Sequence, residues 1–151
     1  MKTIWPLLLV SFFLVSCSKY SGDFQTAAKN FTPKAVPATA AGPWKGTWKS
    51  EVNGHTGPLW CLVSQDQKDP AFWNFRYRAG WGILKFGDYT HQVKTKLTRK
   101  GHLPLKGKMA LPKNFGTYKV NGTLTPEKFD VRYEGNGDKG TMTLTRPKVP
   151  Q

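Results

Sequence analysis

Between Ala71 and Ala79 every second residue shares a face: Ala71, Trp73, Phe75, Tyr77 and Ala79 lie on one side, Phe72, Asn74, Arg76 and Arg78 on the other. A period of two marks a strand with one face against a core, because successive side chains leave a pleated backbone in opposite directions. The same period sets Trp44, Gly46, Trp48, Ser50 and Val52 against Lys45, Thr47, Lys49 and Glu51, and Tyr89, His91, Val93, Thr95 and Leu97 against Thr90, Gln92, Lys94 and Lys96. Further apolar segments centre on Leu59 to Ser64, Ile83 to Phe86, Leu105 to Leu111, Tyr118 to Leu124, Phe129 to Tyr133 and Thr141 to Thr145, which makes eight or nine strands. Fifteen Gly and eleven Pro, scattered along the chain, cut any helical pattern below the length a stable helix needs.

Short strands at this spacing predict an all-β domain over residues 43–148, a small antiparallel up-and-down β-barrel, with a β-sandwich as the alternative. Asn53-Gly54-His55-Thr56-Gly57 supplies a hairpin turn, and Gly80-Trp81-Gly82 reads as a bend or bulge. Gly46, Gly82, Gly107 and Gly122 interrupt strands where a small barrel must bend tightly to close.

The chain opens with Met1-Lys2-Thr3, a short positive start, followed by the mostly apolar run Ile4 to Val15, too short for a permanent transmembrane helix. Leu14-Val15-Ser16-Cys17 then resembles the lipobox of bacterial lipoproteins. That resemblance implies a signal peptide over 1–16 and a diacylglyceryl group on the Cys17 thiol, anchoring the protein in a membrane. Ser18 follows the cysteine where Asp would signal inner-membrane retention, so it implies an outer-membrane address facing the periplasm or the cell surface. Residues 17–42, small and polar, read as a flexible tether of very roughly 30 Å average reach. Tyr20, Phe24 and Phe31 are its aromatic exceptions, able to pack on the domain.

Gly46-Thr47-Trp48 on the first strand resembles the G-x-W signature of lipocalins and the wider calycin group, barrels that often hold apolar ligands. That likeness implies that Arg146, at the end of the last strand, lies over Trp48 and closes the barrel. The opening G-P-W-x-G-x-W followed by N-G-H-x-G-x-L is also similar to uncharacterised small secreted or lipidated β proteins of environmental bacteria. No activity comes with that second likeness.

Little in the chain points to catalysis or a cofactor. His55, His91 and His102 stand at no metal-ligand spacing, there is no G-x-S-x-G elbow, and Asp88 and His91 fall on opposite faces of their strand. With Cys17 acylated, Cys61 has no disulfide partner, and its apolar setting reads as a small buried hydrophobe. No enzyme activity is expected.

Net charge is +14, from 23 Lys and Arg against 9 Asp and Glu, which favours anionic partners. Nucleic acid is disfavoured, because Trp73, Phe75 and Tyr77 sit on the opposite face from Arg76 and Arg78. Two non-enzymatic functions are expected. In the first, Trp73, Phe75, Tyr77, Trp81, His91, Tyr118 and Tyr133 line a pocket for an apolar or amphipathic small molecule. In the second, a basic outer face of Lys45, Lys49, Arg76, Arg78, Lys94 and Lys96 meets anionic lipid, lipopolysaccharide or acidic glycan.

Overall fold

The computed structural model describes residues 15–31, 40–110 and 116–148. One helix, α1 (Val15–Asn30), precedes eight strands: β1 (Gly42–Ser50), β2 (Thr56–Gln65), β3 (Phe72–Trp81), β4 (Leu84–Lys94), β5 (Leu103–Ala110), β6 (Thr117–Leu124), β7 (Lys128–Gly135) and β8 (Asp138–Thr145). All strand pairings are antiparallel in one sheet of order β4-β3-β2-β1-β8-β7-β6-β5. This is the order of an up-and-down meander joined through β1 and β8 and left without a ladder between β4 and β5. The sheet curls so far that these two edges meet. Thr95 Oγ1 donates to the Pro104 carbonyl, and a Cβ added at Gly107 would lie 3.3 Å from His91 Nε2.

The fold is therefore all-β and barrel-like, and its core is the inner face that period-two patterning marks. Trp44, Cys61, Val63, Trp73, Phe75, Tyr77, Val93, Leu103, Leu105, Val120, Phe129 and Leu144 are buried there. Burying one large apolar side chain stabilises by about 1.5–3 kcal/mol, so this shell is the main source of stability. Two glycines let the strands curl. A Cβ on Gly46 would stand 2.1 Å from the Thr143 carbonyl oxygen, and one on Gly122 would stand 2.2 Å from that of Asp130.

Two expectations about the strands change. Ile83 to Phe86 is no separate strand, because the chain reverses at Gly82-Ile83 between the paired Trp81 and Leu84, and β4 runs unbroken to Lys94. Gly82 takes a φ of 56°, which suits the first position of a tight hairpin turn. The irregularity lies between Tyr77 and Ala79, where the β3–β4 register shifts from Tyr77–Tyr89 to Ala79–Phe86.

The larger correction concerns the tether. Residues 17–30 of the expected coil belong to α1, as do the last two residues of the expected leader 1–16, while 32–39 and 1–14 lie outside the described residues. Within α1 there is no Pro and a single Gly, and Tyr20 and Phe24, four residues apart, share one helical face. Their rings stack at 6.2 Å, and both are buried against the outside of the sheet. Cys17 falls within α1, with its side chain outside the described part.

Candidate functional site

Inside the barrel, the expected pocket aromatics come together as a packed cluster. Phe75 and Tyr77 both meet Phe129 edge-on, Tyr77 lies 5.5 Å from Tyr89, and Tyr118 stacks on Tyr133 at 5.7 Å. Trp73 is buried in the same core. Trp81 does not join them. It is 48% exposed at the tip of the β3–β4 hairpin and stacks on His55 at 5.0 Å, because the chain turns immediately after it.

The interior is polar at a few points. Tyr133 donates to Asp138 at 2.8 Å, which also accepts from Ser50 at 2.6 Å, and Tyr118 reaches Met142 Sδ at 3.8 Å. His91 is fully buried, and neither ring nitrogen has a hydrogen-bond partner among the described residues; the Tyr77 hydroxyl is in the same position. Burial lowers the His91 pKa, favouring the neutral ring, and raises that of Tyr77. It also pushes Tyr89 up to about 12. Cys61 is fully buried, and desolvation holds its thiol protonated, which suits packing rather than nucleophilic chemistry.

One end of the barrel is closed by Arg146, though not over Trp48. Its guanidinium lies 3.7 Å from the Trp44 ring centroid and 4.5 Å from that of Phe31, and donates to the carbonyls of Ala41 and Pro43 at 3.0 and 3.2 Å. Register explains the difference. Thr145 opposes Lys45 and Met142 opposes Trp48, so the residue after β8 reaches Trp44, the tryptophan of Gly42-Pro43-Trp44. Trp48 instead donates through Nε1 to the Gly80 carbonyl at 3.0 Å. Desolvation pushes the Arg146 pKa down to about 10.

The outer surface divides in two. On the β2–β4 side α1 covers the arginines expected to bind anions. Arg76 holds Asp23 of α1 at 2.7 Å and Asp88 at 2.6 Å, and Tyr20 lies over its guanidinium with centroid 5.0 Å away. The Arg76 hydrogen bonds keep the Asp88 carboxyl below the usual carboxylate range. Arg78 is buried beneath the same helix and donates to Ser21 at 3.1 Å. Both arginines thus act as docking points for α1 rather than as a free face. Lys45, Lys49, Lys94 and Lys96 are exposed as expected, with Lys94 over the Phe72 ring and Lys45 beside a cleft of about 370 Å³ under α1.

The other side carries a groove of about 480 Å³ over β5 to β8 that the patterning had not singled out. Lys106, Lys108, Lys119, Arg132 and Lys139 line it, with Glu134 as the single carboxylate. Ladder register sets them in rows. Lys108 opposes Lys119, Lys119 opposes Glu134, and Glu134 opposes Lys139, while Lys106 begins a parallel row through Asn121 and Arg132. The outward alternation of Lys106 with Lys108, and of Lys119 with Asn121, is visible in sequence, but only the pairing gathers them. Like charges directly opposite on neighbouring strands, as Lys108 and Lys119 are, destabilise a sheet by tenths of a kcal/mol or more, while Glu134 meets Lys119 from the other side at 3.5 Å.

Among the described residues no group of three His, Cys, Asp or Glu side chains gathers as a metal site. Compared with known protein families, curated proteins and solved structures, the chain matches none.

Proposed function

We propose that the protein is a non-enzymatic binding module of the bacterial cell envelope, attached through a lipidated Cys17, that takes up an anionic envelope component on its basic sheet face. The observation that carries this is the state of the acids. Each of the nine carboxylates already has a partner within the protein. Asp23 and Asp88 hold Arg76, Glu51 holds Arg132, Asp130 holds Lys128 and Glu134 holds Lys119. Asp66, Asp69, Glu127 and Asp138 bind turn amides and hydroxyls. Lys45, Lys49, Lys94, Lys96, Lys106, Lys108 and Lys139 have no ion-pair partner among the described residues.

A surface with this excess attracts polyanions through a field that salt screens over about 8 Å at physiological ionic strength. The test is binding of the full chain to vesicles with and without anionic lipid, to lipopolysaccharide and to acidic glycan across a salt series. Affinity for at least one of them falls about tenfold or more between low and physiological salt. Binding that is absent or indifferent to salt contradicts the proposal.

A second reading, an amphipathic ligand inside the barrel, is favoured by the buried Tyr77 hydroxyl and His91 ring that lack partners, since such groups usually find water or a ligand. Native mass spectrometry tests it, and a protein that never carries a co-purified small molecule argues against it.

A further inference from the structure

The basic face is not uniform, and the groove over β5 to β8 carries a more specific inference that rests on the function just proposed. We propose that this groove is a binding site for a linear acidic polysaccharide laid across the strands. Strands lie about 4.8 Å apart, so the opposed Lys108 and Lys119 leave the sheet about 5 Å apart and Lys139, two strands further on, leaves it about 10 Å beyond. Lys106, two residues before Lys108, doubles the row. A single phosphate would engage one or two of these cations. A chain with acidic groups about 5 to 10 Å apart spans Lys108, Lys119 and Lys139 and sets a neutral hydroxyl against Glu134.

The shape points the same way. A volume of about 480 Å³ falls within the range of ligand sites, and it is a trough, whereas a flat bilayer would be met by a projecting cationic surface. Lysine stems supply apolar walls for the faces of sugar rings while their ammonium groups reach the acids. Glu134 in the middle of the row pairs with Lys119 at 3.5 Å and offers an acceptor to hydroxyl groups. Nucleic acid fits less well. Tyr133, the aromatic among the lining residues, is only 8% exposed and offers no stacking platform.

The experiment measures affinity of the full chain for a labelled oligogalacturonate, with anionic phospholipid vesicles and oligothymidylate as the other arms. The K106Q/K108Q/K139Q variant is compared with K68Q/R99Q/K100Q, which removes equal charge from two connecting turns, and circular dichroism confirms that both fold. The inference expects a loss of about tenfold or more for the groove variant and about twofold for the other, with oligogalacturonate bound more tightly than oligothymidylate. Equal losses in the two variants would overturn the groove as a site while leaving the basic-face function standing. Vesicle binding without oligogalacturonate binding would do the same, and equal affinity for oligothymidylate would reduce the site to unspecific charge. Failure of all three arms, together with absence of lipopolysaccharide binding, would bring down the proposed function as well.

Discussion

Replacing Arg146 by Ala removes the stack on Trp44 and the hydrogen bonds to Ala41 and Pro43, together with a weaker one to Pro126 at 3.4 Å. The cation–π contact is worth about 0.5–2 kcal/mol. Charged hydrogen bonds contribute about 1.5–3 kcal/mol each when buried, and less here, where the site is only part-buried. A loss of about 3–5 kcal/mol follows, large for one substitution and equivalent to roughly 10–20 °C in the thermal midpoint of a domain this size. Urea and thermal unfolding followed by far-ultraviolet circular dichroism read the loss without relying on tryptophan emission. The decisive comparison is a pair of double-mutant cycles. R146A couples to W44F by about 0.5–1 kcal/mol and to W48F by no more than about 0.3 kcal/mol, the scatter expected of independent sites. Stronger coupling to Trp48 than to Trp44 would refute the β1–β8 register and the closure built on it.

Other substitutions probe separate parts of the account. His91 has its pKa lowered by burial, so the unfolded chain binds the proton first: stability is full above the ordinary value of 6.5 and falls as the pH drops below it. Denaturation midpoints between pH 7 and 5 should show this slope in the wild type and lose that component in H91Q, and an unchanged slope would rule out a neutral buried ring. Y20A removes the aromatic contact to Arg76 and Arg78, and hydrogen exchange should then rise along α1 while the sheet stays protected. Unaltered α1 protection would show that the helix is held by other contacts. G46A puts a Cβ against the Thr143 carbonyl and should cost more than about 2 kcal/mol by thermal unfolding, whereas a neutral result would mean that β1 and β8 are further apart than described.

Much of this architecture was legible because one physical rule, alternation against a core, governs Trp44 to Thr145. The aromatic inner face of β3 and the inward His91 follow from it directly. What failed depends on information that alternation does not carry. The G-x-W motif points to Trp48 as the partner of Arg146, but the partner is decided by cross-strand register, which puts Trp44 there. Trp81 keeps the parity of its strand and still leaves the core, since the hairpin tip projects past the barrel. The polar outer face of β3 points to Arg76 and Arg78 as part of an open anion-binding surface, and no strand pattern announces a helix packed over it. The signal for α1 was the i, i+4 spacing of Tyr20 and Phe24 in a segment without proline, hidden by its small and polar composition. The groove was half legible: its lysines alternate outward, but they become neighbours only through the β5–β6, β6–β7 and β7–β8 ladders.

We propose that an anionic partner binds the basic sheet face, and the β5 to β8 groove above all. The most direct measurement is a backbone chemical-shift map of the isotope-labelled protein titrated with an acidic oligosaccharide at low salt. The account predicts the largest shifts at the amides of Lys106, Lys108, Lys119 and Lys139, reversed by added salt. Largest shifts at inward residues such as Tyr77 and His91, or none anywhere, would contradict it.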